Sequence, residues 1–323
     1  MGWRGNLRSF NAAVKAAKRD AQRRQKAALK DQIISAAEAA VDDLQEYINE
    51  LTTLHVCATN NIDWLKIANS SPPVEPRPMN FHRDYAQKKL TNYKPTLLRK
   101  ILGQAEAKRL KLQNDLNNAP VRDDQDFKNA MVQYESTLGE WQSETDLAKR
   151  VLQGEPEAMR EVIEEFQSSM TSASLTGKVI NFKITNSQVH AVVEVHTDEI
   201  IPKVRRRQLQ SGKLSETKMP VKEFNALYQD YVCSAAIKIA GHLFAILPQT
   251  EVYVTCTTVM LDKSTGHQET TPILSVQFVQ ETFLALNHAN IDPSDSMKNF
   301  NHHLNFTSTR GFKAIEPLSQ FDT

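Results

Sequence analysis

The chain has 323 residues, 40% of them hydrophobic and 24% charged, with a formal net charge of +1. That length suits two domains with at least one sizeable core, and no apolar run approaches the roughly 20 residues of a membrane helix. Three cysteines without a CxxC pair, Cys57, Cys233 and Cys256, argue against a disulfide scaffold or a cysteine-rich zinc site and for a reducing, cytoplasmic setting.

The neutral total hides a segregated charge. Residues 1–30 hold nine Lys and Arg against Asp20 alone, and Asp31–Glu50 reverses the sign with acids only. The basic end has no apolar core of the kind a secretory signal needs. From Asn11 to Leu54 there is no Gly or Pro, and Ile34, Ala37, Val41, Leu44, Ile48 and Leu51 step by three and four. That is the 3.5-residue repeat of a coiled-coil seam. It predicts a long helix seeking a partner helix, from this chain or from a second copy, and therefore a tendency to self-associate.

Four prolines in "NSSPPVEPRP", residues 69–78, remove amide donors and favour extended backbone, so this reads as a linker. Helical patterning resumes near Tyr85. Asn117, Asn118 and Pro120 in "NNAPVRDD" predict a turn. After it, Phe127, Met131, Tyr134, Leu138, Trp141, Thr145, Ala148 and Leu152 alternate steps of four and three. The expectation is an antiparallel helical hairpin folded at 117–124, with this stripe as its seam. The predicted division is 1–68, a basic long helix; 69–84, a Pro-rich linker; 85–153, the hairpin; and 154–323, an α+β domain.

The last region opens with a helix at 154–170, placing Met159, Val162, Ile163, Phe166 and Met170 on one face. The period then changes to two. "KVINFKI" (178–184) and "VHAVVEV" (189–195) predict a hairpin, residues 222–247 a buried helix, and 251–261 and 272–279 two more strands. Short helices follow, one with a capping residue at Asp292 or Ser294. The order predicts α+β with a mainly antiparallel sheet. There is no GxGxxG or Walker A pattern, which argues against a nucleotide phosphate loop.

Two sets of residues carry candidate chemistry. His190, Glu194 and His196 share a strand face with Val192, and Asn181 and Lys183 can join them. Glu194 and His196 are candidate metal ligands, and His190 a candidate acid or base; the bland alternative is the wet face of a sheet. The second set is "VRRRQLQSGKLSETKMP" (204–220) with its flanks. Residues 203–222 hold Lys203, Arg205, Arg206, Arg207, Lys213, Lys218 and Lys222 against Glu216 alone. This is an anion-binding loop or a solvated one. If Arg205, Arg206 and Arg207 all touch phosphate, their loss flattens the salt dependence of binding by about two to three units. No aromatic interleaves the cations, so base stacking is not indicated. Cys233 and His242 lie on opposite sides of a helix and form no pair; His302 and His303 are too short a tract to assign a metal.

These features favour an intracellular, non-catalytic binding or assembly protein, needing no cofactor, whose helical arm associates and whose C-terminal domain holds nucleic acid or an acidic protein. The alternative is a metal-dependent nuclease. There Glu194, with His190 and His196 beside it, and a Glu216-x-Lys218 pair on the next strand hold a divalent ion and orient water. A scaffold subunit docking an acidic protein is the third reading.

Overall fold

The computed structural model describes residues 3–56, 61–96, 102–170, 175–185, 188–262 and 264–318. Cys57 and the side chains of Arg4, Arg8, Lys15 and Met170 lie outside that description. The chain divides into two compact units, residues 1–62 with 154–323, and residues 63–153. The N-terminal helix thus folds with the C-terminal region, a grouping the linear division does not contain.

In the unit 63–153, helices α2 (Trp64–Ala68) and α3 (Phe81–Thr91) pack along one long helix, α4 (Gln104–Leu152). The predicted turn at 117–124 is absent, and Pro120 sits inside the helix. The inward face continues in phase across it. Leu112, Leu116, Ala119 and Asp123 lead directly into Phe127, Met131, Tyr134, Leu138 and Trp141, all buried or half-buried. Continuity of that face outweighs one missing backbone bond. A hairpin does exist, but its second arm is α4 and its first is α3. The Asp123 carboxylate accepts from the amides of His82 (2.8 Å) and Arg83 (3.0 Å) at the start of α3. Tyr93, just past the end of α3, donates to the Ala105 carbonyl, so the two helices run antiparallel. Asp123 supplies the cap that Asn80 does not. The Pro-rich stretch lies against α4 and forms a wall with it, Pro76 and Met79 facing Phe127 and Ala130. Trp141 is half-buried and donates to Ser70 Oγ at 2.9 Å.

Pro120 is exposed, so its replacement removes no packing. Pro120→Ala should restore a helical hydrogen bond worth part of the roughly 3 kcal/mol proline penalty, against about 0.4–1 kcal/mol of lost unfolded-state restriction. The expected result is a net gain of about 1–2 kcal/mol, seen as a higher midpoint of the helical circular-dichroism signal. No gain would mean the helix already bends to relieve the ring.

In the other unit, α1 (Trp3–Thr52) is 50 residues long, about 75 Å at 1.5 Å per residue. The predicted seam is its inward face: Ala37 and Leu51 are buried, and Ile34, Val41, Leu44 and Ile48 half-buried. Its partner is not a second helix along its length. It packs on the hairpin of β3 (Val204–Gln208) and β4 (Leu214–Lys218) and on α6 (Val221–Ile246). Tyr47 donates to the Ile200 carbonyl at 2.9 Å, and the His55 ring lies 2.8 Å from Ser234 Oγ on α6. The pattern marked the buried stripe correctly, but a stripe of period 3.5 does not specify what covers it. With the seam filled from within, it no longer argues for self-association.

The sheet has the order β1 (Lys178–Ile184), β2 (Val189–Glu194), β5 (Glu251–Leu261), β6 (Gln268–Val279), β7 (Asn301–Leu304). All neighbours are antiparallel except β2 and β5, as a crossover through α6 requires. The expected α+β class, with long helices and a mainly antiparallel sheet, is the observed one. Ala191, Val193, Val254, Cys256, Val276 and Phe278 share one face and are fully buried, with Cys256 against the α6 backbone. Helix α5 (Pro156–Met170) presents Met159, Val162 and Ile163 to the same core and packs on α6. Pro156 opens α5, where a proline fits the first turn, and Gly154 at φ +74° follows α4. Helices α7 (Gln280–Ala285) and α8 (Pro293–Ser296) follow, the second capped by Asp292 accepting from the Asp295 amide. A last small hairpin pairs β8 (Phe306–Thr307) with β9 (Gly311–Phe312).

Candidate anion-binding surface

Residues 204–218 of the run form a β-hairpin rather than a solvated loop, and Lys222 lies in the first turn of α6. Val204 pairs with Lys218, Arg206 with Glu216, and Gln208 with Leu214. Gly212 turns at φ +81°, and a Cβ there would run into Ile34 Cγ1 on α1. Gln208 Nε2 also donates to the Ile34 carbonyl at 2.9 Å. The close approach requires glycine at the tip, and it brings Lys213 beside the turn of α1 that follows Lys30. Two cationic segments about 180 residues apart in sequence therefore adjoin on one folded body.

The charges do not all stay available. Arg206 pairs with Glu216 at 2.7 Å, across the strands. Arg205 pairs with Glu223 on α6, an acid the sequence run did not include. Lys203, Arg207, Lys213, Lys218 and Lys222 are exposed and form no ion pair among the described residues. Lys18, Arg19, Arg24, Lys26 and Lys30 on α1 are likewise exposed and without an ion pair there. Of Arg205, Arg206 and Arg207, for which an equal role is expected, only Arg207 has no carboxylate partner among the described residues. A cavity of about 400 Å³ lies between the α1 seam at Val41, Leu44 and Ile48 and the hairpin at Arg205, Arg206 and Arg207. A second, about 470 Å³ and mostly apolar, lies at the hairpin base between Lys203, Lys218, Met219 and Phe224.

The nuclease expectation needs Glu194 and the Glu216-x-Lys218 pair on neighbouring strands. β2, carrying Glu194, lies between β1 and β5, whereas β4 pairs only with β3 in a separate sheet. The two carboxylates thus sit on strands of different sheets, and Glu216 is engaged by Arg206. Among the described residues no group of three or more His, Cys, Asp or Glu is arranged to hold a metal ion. His190 and His196 also part company. His196 is exposed beyond the end of β2, its amide and carbonyl held by the Tyr231 and Tyr228 hydroxyls. His190 is 4% exposed, with Nε2 2.8 Å from Thr255 Oγ1.

The sheet face that reads as wet does stay wet at Asn181, Lys183 and His196, which are exposed, and is closed around His190. Thr255 Oγ1 lies 2.8 Å from Ser275 Oγ, which accepts from the Leu318 amide at 3.0 Å. His303 donates to the Glu316 carbonyl, and Ile315 to the Pro272 carbonyl. The segment 315–318 thus straps the polar face, and its groups find partners in each other, as buried polar groups must. The signal for this was the run of Thr and Ser on β5 and β6. Alternation alone gives the face, not its cover.

Burial pushes the His190 ring down to about 4, with Lys183 adding to the effect. Between about 6.5 and 4 the unfolded chain binds a proton that the native chain refuses. His190 should therefore subtract up to about 3 kcal/mol of stability as pH falls through that window. Asp230 acts with the opposite sign. Burial raises it to about 6, so its contribution falls as pH rises from about 4 to 6. Denaturant titrations of wild type and His190→Gln at pH 7.5 and 5 separate the two. The variant should lose distinctly less stability on acidification, and an equal loss would place the sensitivity elsewhere.

No family model, no curated protein and no solved structure matches this chain.

Proposed function

We propose that this chain is a binding protein that holds the phosphate backbone of a nucleic acid against a surface formed by the β3–β4 hairpin and the basic part of α1. The observation that carries this is the clamp of the hairpin tip on Ile34. It joins two exposed cationic segments in which, among the described residues, carboxylates pair with Arg23, Arg205 and Arg206 and leave the other cations unpaired. Scattered lysines with three unpaired arginines, Arg19, Arg24 and Arg207, suit a polyanion, to which each cation contributes by releasing counterions. They position the ligand and do not read its sequence. No helix among the described residues is long and apolar enough to cross a membrane.

Fluorescence anisotropy of labelled duplex and single-stranded DNA and RNA tests the reading, with polyglutamate as a carboxylate competitor. The expected result is tight binding at low salt, similar across sequences, that weakens steeply as salt rises. Binding of polyglutamate in preference to every nucleic acid would favour an acidic-protein partner. Absence of nucleic-acid binding at low salt would overturn the proposal.

A further inference from the structure

Away from the basic surface, a cavity of about 250 Å³ opens outside the carboxyl ends of the parallel pair β2 and β5. Crevices beyond the carboxyl ends of parallel strands are where open sheets carry ligands. Four separate segments build this one: the stretch after β2 gives Asp198, α6 gives Asn225 and Tyr228, the end of β5 gives Thr258 and Met260, and the β8–β9 hairpin gives Arg310. The walls are fixed. Asn225 Nδ2 donates to the Ser308 carbonyl at 2.8 Å, tying the small hairpin to α6. Phe312 packs edge-on against Tyr228, with ring centroids 5.4 Å apart. The Tyr228 hydroxyl donates to the His196 carbonyl at 2.9 Å and lies 3.2 Å from Thr258 Oγ1. Gly311 turns the hairpin at φ +75°, a conformation that suits glycine.

The charges at this cavity are arranged unusually. Asp198 and Arg310 line the same small space, yet they form no ion pair among the described residues. An unpaired acid and arginine at one cavity offer an acceptor for an ammonium group and a bidentate donor for a carboxylate. The Asn225 side-chain oxygen, its amide nitrogen already committed to Ser308, adds an acceptor. Met260 and Phe312 give the space an apolar side. Its volume is below the range typical of drug-sized ligands, so the occupant has only a handful of heavy atoms.

We infer that this cavity binds a small zwitterion of α-amino-acid size, its carboxylate on Arg310 and its ammonium on Asp198. The site is separate from the proposed nucleic-acid surface and stands or falls without it.

Isothermal titration of the full chain with the twenty amino acids, at moderate salt, should give saturable binding of at least one. Its N-acetyl derivative, which lacks the ammonium, and its amide, which lacks the carboxylate, should each bind at least tenfold more weakly. Asp198→Asn and Arg310→Gln should each weaken the amino acid at least tenfold, with circular dichroism unchanged because both side chains are exposed. The analogues need no variant, so the test survives a variant that misfolds. Three results would overturn the inference: no amino acid binds, the N-acetyl derivative or the amide binds as tightly as its parent, or binding persists unchanged in both variants.

Discussion

Gly177→Ala should cost about 2–6 kcal/mol, the sum of two independent terms. Gly177 sits at φ +94°, where a side chain is strained by about 1–3 kcal/mol. A Cβ there would also collide with the Glu194 carbonyl oxygen and stand 3.0 Å from Val195 Cα. Those atoms are backbone at the end of β2, which lies between β1 and β5, so they cannot step aside as a flexible side chain would. Overpacking of this kind costs a further 1–3 kcal/mol or so. Gly266→Ala is the internal control: its φ is +74°, with nothing within 4 Å of the added carbon, so it carries the strain alone. Denaturant midpoints at unchanged slope give both values. Equal losses for the two variants would mean that the chain entering β1 does not pass so close to β2.

The second large effect concerns the basic surface. Replacing Lys203, Arg207, Lys213 and Lys218 together with alanine should flatten the dependence of log K on log salt by about 3–4 units on duplex DNA, at about 0.9 per phosphate. Over a fourfold rise in salt, wild type should then lose roughly a hundredfold more affinity than the variant. The paired arginines behave differently. Arg206→Gln should change the slope by less than one unit, because Glu216 already neutralises that guanidinium. Glu216→Gln should tighten binding by releasing it. Changing Lys26 and Lys30 to glutamine should lower the slope as well, since they precede the turn that Gly212 touches. These substitutions belong in the full chain. Removing α1 would expose the core around Leu51 and His55 and confound lost charge with lost fold. If the fourfold variant keeps the wild-type slope, the hairpin is not the phosphate contact.

The sequence by itself determined most of the local elements, because those rest on a period that acts within a few residues; the turn it placed at 117–124 and the loop it placed at 204–218 were overridden. The 3.5-residue stripe from Ile34 to Leu51 marked the inward face of α1, the change to period two marked β1 and β2, and the apolar circumference of 222–247 marked the buried helix. It determined the charge run too, but not its worth. Pairing is a distance in space: Glu223 reaches Arg205 from α6, and the hairpin tip meets the turn of α1 after Lys30 because glycine lets it close on Ile34. The tertiary structure also decided what covers each face. It set a β-hairpin against the seam where a second helix was expected, and a C-terminal strap over the polar face around His190. It carried α4 straight through Pro120, since the face from Leu112 to Trp141 stays in phase and one lost hydrogen bond is small beside that packing. The cavity between Asp198 and Arg310 belongs to the same class. Its residues are 112 positions apart in the chain, and no pattern of short range joins them.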